Sequence, residues 1–266
     1  MEERVSSTQY RFSYQIRSAE DLPTDFHLAG QDIVFETGIF VPQDHCPDPY
    51  KGNSHPDRVF LLLGHSLTIY AHPTARQAAI LIDFNDLQMV EHGGFLLFCW
   101  IRLFTSTSNH TFIFSSESNH VVDRLLKEIR RTWLSESISE SPLLEEVQAT
   151  TAAFTFKFQK RLDKELDIDE TVRRTLFIPP KRIGQRNHLF HKVLHIPGDL
   201  LAITSRRVLW ITDRECGGES RELYGSIARY APIAKVSKVS WEAQNLYVYF
   251  NATPCWSIPM CRARSS

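Results

Sequence analysis

Hydrophobic residues along this chain recur with two different periods, and the switch between them divides the sequence. From residue 32 to 115 apolar side chains alternate with polar ones or run in short bursts between turn residues, the pattern of successive strands. Asp32–Val41, Arg58–Leu63, Ser66–Ala71, Ala79–Asp83, Phe95–Thr105 and His110–Phe114 are the predicted strands, rich in the β-branched and aromatic residues that suit a pleated surface. Pro42, Pro47, Pro49, Gly52, Asn53 and Pro56 mark a turn-rich connection between the first two. The period then becomes helical. Val121, Val122, Leu125, Leu126, Ile129 and Trp133 share one side of a helix over 118–134, and Asp123, Arg124, Lys127, Glu128, Arg130 and Arg131 occupy the other. Ser118 is placed to cap it. Residues 1–135 therefore read as an antiparallel sandwich or barrel closed by one amphipathic helix.

The serine-rich stretch Ser135–Pro142 opens a linker over 136–150. In the second domain, 151–266, Phe154, Phe158, Leu162 and Leu166 recur every four residues as a helical stripe, although Phe154–Phe158 also alternates like a strand. Strands return at Thr171–Ile178, Leu189–Ile196, Leu200–Thr204, Val208–Thr212, Ser226–Trp241 and Leu246–Phe250. The halves share an apolar pattern. Leu63–Tyr70 overlies Thr204–Ile211 at an offset of 141, and Asp83–Val90 overlies Pro232–Val239 at an offset of 149. The turn Cys216–Leu223, which has no counterpart in the first half, accounts for the difference.

Gly198-Asp-Leu-Leu-Ala-Ile-Thr-Ser-Arg-Arg-Val-Leu-Trp-Ile-Thr-Asp213, followed by Tyr224–Pro232 and Val236–Val239, resembles the bacterial pleckstrin-homology-like (PH-like) and GRAM-like domains. The first half is similar in element order, with a weaker form of the same hairpin at Arg58–Ala71. The resemblance implies an α+β chain, mainly β, made of two PH-like antiparallel barrels or sandwiches in tandem. Such domains end in a helix, whereas only 16 residues follow Phe250, among them Pro254 and Pro259. The helix that covers the second barrel is therefore expected to precede its strands, at Phe154–Leu166.

Composition narrows the function classes. The 266 residues are 42% hydrophobic and carry a formal net charge of −1, which suits a folded core and excludes a uniformly basic nucleic-acid binder. The longest apolar run, Phe95–Ile101, is far shorter than the ~20 residues of a membrane-spanning helix. The N-terminal stretch lacks an apolar signal core. Cys46, Cys99, Cys216, Cys255 and Cys261 are odd in number and form no CxxC, as expected of reduced thiols in a cytoplasmic protein. Leu63-Gly-His-Ser-Leu-Thr68 begins like the nucleophile elbow of the α/β-hydrolases, but Thr68 replaces the second glycine and a strand follows, so Ser66 reads as part of a hairpin. Neither His188, His191 and His195 nor Asp44, His45, Cys46 and Asp48 have convincing metal-ligand spacing. The expectation is a protein without catalytic, metal or cofactor site.

The near-zero net charge is a cancellation. Residues 1–135 hold 11 Lys and Arg against 16 Asp and Glu, and residues 136–266 hold 19 against 15. Six basic residues and no acid fall within 173–192. Lys181, Arg182 and Arg186 are expected in a loop after the first strand of the second domain, where the resemblance implies binding of anionic headgroups. With Lys192, Arg206 and Arg207 they form the candidate ligand-binding set. The function expected first is recognition of a protein or peptide through a groove or strand edge. Peripheral attachment to anionic lipid through 173–192 is the alternative, and a serine hydrolase using Ser66 a distant third. Oligomeric state stays open.

Overall fold

A computed structural model describes residues 13–26, 34–42, 56–71, 80–95, 98–135, 155–187, 190–213, 225–242, 245–250 and 256–259. The described chain is mainly β with two helices, an α+β protein. By contacts it divides into two units, neither continuous in sequence: 1–87, 96–101 and 111–135 form the first, and 88–95, 102–110 and 136–266 the second.

In the first unit β1 (Tyr14–Ile16), β2 (Thr37–Val41), β3 (Arg58–Leu63), β4 (Ser66–Ala71) and β5 (Ile80–Asp83) run as an antiparallel ladder in that order. Among the described residues the ladder is open, with no pairing that joins β5 back to β1. The predicted hairpin at Gly64-His65 is present: Gly64 takes φ +53°, a left-handed conformation that favours glycine, and Leu63 pairs with Ser66. Ser66 Oγ donates to the Leu63 carbonyl at 3.0 Å and closes the turn. Ile16, Phe26, Phe40, Val59 and Leu61 form one core cluster. Helix α1 (Asn119–Ser135) packs on β2 and buries Val121, Val122, Leu125, Leu126, Ile129 and Trp133, the predicted stripe. Its start differs from the expectation. Ser115, not Ser118, accepts a backbone N–H, from Glu117 in a 3-10 turn that leads into the helix, and the Ser118 hydroxyl pairs with that of Ser13.

The remaining strands are β6 (Leu87–Phe95), β7 (Phe98–Thr105), β8 (Asn109–Ser115), β9 (Val172–Ile178), β10 (Lys181–Asn187), β11 (Phe190–Ile196), β12 (Asp199–Thr204), β13 (Arg207–Thr212), β14 (Ser226–Pro232), β15 (Val236–Glu242), β16 (Asn245–Phe250) and β17 (Trp256–Pro259). Seven of them form a sheet ordered β8-β7-β6-β14-β13-β12-β9, while β10-β11 and β15-β16-β17 are separate ladders. Residues 98–101 of β7 and 111–115 of β8 count with the first unit.

One predicted strand resolves into two, and β6 is not among the predicted strands. β6 escapes a pattern reading because it carries Glu91 and His92, both buried. Both meet polar partners: Arg229 Nε donates to Glu91 Oε2 at 2.5 Å across the β6–β14 ladder, and His92 Nε2 lies 2.9 Å from Glu165 Oε2. Ser226–Trp241 breaks at Pro232, where a 3-10 turn over Ile233–Lys235 separates β14 from β15.

Helix α2 (Phe156–Glu165) precedes β9 and the strands after it as expected, and buries Phe158 and Leu162. Phe158 meets Phe177 of β9 edge-on at 5.3 Å. It also lies over Gly198, where a Cβ would stand 2.9 Å from Pro180 Cδ and 3.0 Å from the Phe158 ring. Two rigid rings leave that methyl no room, so Gly198→Ala is expected to destabilise the second unit by about 1–3 kcal/mol. A urea midpoint followed by tryptophan fluorescence measures it; an unchanged midpoint would contradict the packing.

Candidate functional site

Among the described residues of the second unit, β15 forms an outer edge of the β15-β16-β17 ladder. Asn245-Leu-Tyr-Val-Tyr-Phe250 alternates strictly, so β16 buries Leu246, Val248 and Phe250 and leaves Asn245, Tyr247 and Tyr249 half-buried on its other side. The inner face joins Trp256 and Ile258 of β17 to Trp210, Val208, Leu201 and Met89 in one cluster. Trp256 sits 5.0 Å from Phe250 and 5.8 Å from Trp210, and its indole N–H donates to Met89 Sδ.

Among the described residues β15 pairs with β16 along one side only. Val239 stands opposite Val248 and Trp241 opposite Leu246, which puts both on the inner, apolar face. The core does not reach them: Val239 is 56% exposed and Trp241 52%, whereas Val248 is 1% exposed. On the opposite face Tyr247 and Tyr249 stack at 6.1 Å, and Lys238 Nζ lies 5.6 Å above the Tyr249 ring. Glu242 Oε1 accepts from Ser240 Oγ at 2.8 Å and from Tyr249 Oη at 3.3 Å. The edge thus shows two apolar side chains on one face and a cation and an anion, four residues apart, on the other. The sequence pattern singles out none of these four residues. Their alternation marks a strand, and only the sheet order reveals that the strand is an edge.

The basic candidates separate into different settings. Lys181, Arg182 and Arg186, expected in a loop, lie on β10, and Lys192 lies on β11. The hairpin forms because Pro179-Pro180 ends β9 and the seven residues on either side of the turn can pair throughout, with Arg182 opposite His195, Arg186 opposite His191 and Gln185 opposite Lys192. Their side chains, and His188 with the Asp44–Asp48 stretch, lie outside the described residues. Arg206 is largely covered and bonds to Asp169.

Arg207 is fully buried. Its Nε donates to Glu170 Oε1 at 2.8 Å and its Nη2 to Glu170 Oε2 at 2.6 Å, a two-point pair, while Nη2 also donates to the Glu165 carbonyl at the end of α2. The guanidinium carbon lies 4.9 Å from the Tyr230 ring centre. Thr204 Oγ1 adds a bond to Glu170 Oε1 at 2.5 Å. Glu165 in turn places one carboxylate oxygen on His92 and the other 2.9 Å from Arg161 Nε. Lys157 anchors the other end of α2, 2.7 Å from Asp213 Oδ1. Burial pushes the Asp213 carboxyl up, only partly offset by Lys157.

Among the described residues no helix is long and apolar enough to cross a membrane. Comparison of the chain with protein-family models, with curated proteins and with solved structures returns no match.

Burial alone would raise Glu170, but the Arg207 pairing and the Thr204 hydroxyl outweigh it and hold the carboxyl below its ordinary value of 4.5. A carboxylate depressed on folding adds stability that is complete above its unfolded value and disappears as pH falls through the folded one. The second unit is therefore expected to lose urea resistance below about pH 4. Arg207→Met strands the carboxylate and should cost about 3–5 kcal/mol near neutral pH, with Arg207→Met/Glu170→Gln recovering part of the loss. Equal midpoints for the single and double variants would show that the ion pair does not hold this region.

Proposed function

We propose that this chain is a non-enzymatic binding module, a tandem of PH-like units with barrel-type sheets, that takes up an extended segment of a protein partner by strand addition along β15 in the cytoplasm. The observation that carries this reading is the exposed inner face of an edge strand, Val239 and Trp241, beside a row of backbone groups with no neighbouring strand among the described residues. In strand addition the backbone groups supply affinity, and every second side chain of the incoming segment is read by what lies beneath it. Val239 and Trp241 favour apolar residues at alternate positions, and Lys238 and Glu242 favour opposite charges on the outer face.

The tandem reading draws support from element spacing. β3 and β4 precede β12 and β13 by 141 residues at matching bounds, and β6 begins 149 residues before β15. A three-residue turn links β5 to β6, and another links β14 to β15.

A second reading, attachment to anionic lipid headgroups, is favoured by the β10–β11 register, which brings Arg182 and Arg186 onto one ladder position class with His195 and His191.

Panning a random displayed-peptide library with the full chain at nanomolar concentration tests the first reading. Expected are peptides with alternating apolar residues whose affinity falls at least about tenfold for Trp241→Lys, the loss typical of one buried aromatic anchor. Peptides indifferent to that substitution, or none at all, would refute strand addition. Sedimentation with phosphatidylserine vesicles, lost in Arg182→Glu/Arg186→Glu and at high salt, would instead support the lipid reading.

A further inference from the structure

We infer that the segment β15 takes up is β15 of a second copy of this chain, paired antiparallel about a two-fold axis at Ser240. The inference rests on the strand-addition reading above and names its partner. The argument is self-complementarity. An antiparallel two-fold pairing centred on Ser240 sets residue 238 against 242, 239 against 241 and 240 against itself. Lys238 then faces Glu242 of the second copy, and Glu242 faces its Lys238, so two ion pairs form on the outer face. On the inner face each Val239 meets a Trp241, and both exposed apolar pairs become covered.

Other registers lose this match. Centring on Lys238 opposes two ammonium groups, and centring on Val239 sets Glu242 against Val236 and Lys238 against Ser240. Like charges directly opposite one another destabilise a ladder, so Lys238 acts as a register key as well as a guard against indiscriminate edge pairing. Glu242 and Lys238 are both held by contacts on their own strand pair, through Tyr249, Ser240 or both. Little side-chain ordering is left for association to impose. The two-fold axis lies perpendicular to the sheet, which keeps inner face continuous with inner face and closes the assembly at two copies.

Sedimentation equilibrium of the full chain, loaded from about 1 to about 100 µM, is the test, because an interface below the standard size assembles in that range. A reversible monomer–dimer equilibrium is expected. Val239→Lys and Trp241→Lys should each leave monomer only. Lys238→Glu and Glu242→Lys should each weaken dimerisation, and Lys238→Glu/Glu242→Lys should restore it, since the exchanged charges again oppose one another. All four positions are exposed or half-buried, and an unchanged thermal midpoint of each variant shows that folding is intact. A wild-type chain that stays monomeric, or a double exchange no tighter than the single ones, overturns the inference. If the chain is monomeric while selected peptides still require Trp241, self-pairing fails and strand addition stands. If neither dimer nor peptide is found, both fail.

Discussion

A guanidinium group with no access to water organises the second unit. Burying Arg207 is unfavourable unless its charge is matched, and Glu170 matches it through Nε and Nη2, while Nη1 has no hydrogen-bond partner among the described residues. Glu170 lies just before β9, Glu165 ends α2, Thr204 ends β12 and Tyr230 sits on β14, so one side chain ties a helix terminus, a strand entry and two sheet strands. The helix is fixed at both ends: by this network and Arg161–Glu165–His92 at its C-terminal end, and by Phe158 over Gly198 and Lys157 on Asp213 in its first turn. Apolar burial alone would let a ten-residue amphipathic helix slide or rotate on the sheet. Directional bonds at its end give it one position.

The pairing of interior charges sharpens the contrast at β15. Inside the unit, charges such as Glu91 and Arg229 are paired and apolar side chains are covered. At the β15 edge an apolar face continues past the point where the core ends. A tryptophan half in water on an edge strand is a liability in a monomer, and proteins usually blunt such edges with charge. Here the blunting charge, Lys238, comes with a compensating Glu242 at the spacing that an antiparallel neighbour of the same sequence would need.

Much of the architecture is legible from pattern. The helical stripe of α1, the hairpins β3–β4 and β12–β13 and the helix before the second set of strands follow from periodicity and turn residues, because each is a local consequence of burying one face. The misreadings have a common cause in non-local partners. β6 carries no strand pattern because its Glu91 and His92 are buried only with partners from other elements: Arg229 of β14 and Arg102 of β7 on Glu91, and Glu165 of α2 on His92. Lys181, Arg182 and Arg186 read as a loop because basic residues beside a Pro-Pro pair resemble one, whereas the pairing with 190–196 makes a strand. Arg206 and Arg207 are adjacent and chemically alike, yet Arg206, in the turn before β13, bonds to the exposed Asp169, whereas Arg207, at the start of β13, is fully buried on Glu170. Pattern does not show which of the two meets Glu170. The β15 edge is invisible for a related reason, since whether a strand lies at the margin of a sheet depends on strand order.

β6 reaches back into the first half of the sequence to pair with β14, Tyr230 opposite Val90 and Arg229 opposite Glu91. The two halves of this gene product are therefore not interchangeable cassettes, however similar their strand order. A fragment beginning at residue 136 would bare the flank of β14, with Arg229 deprived of its carboxylate, in the middle of what is otherwise a continuous seven-stranded surface. Truncation at the serine-rich junction would turn an interior strand into an open edge.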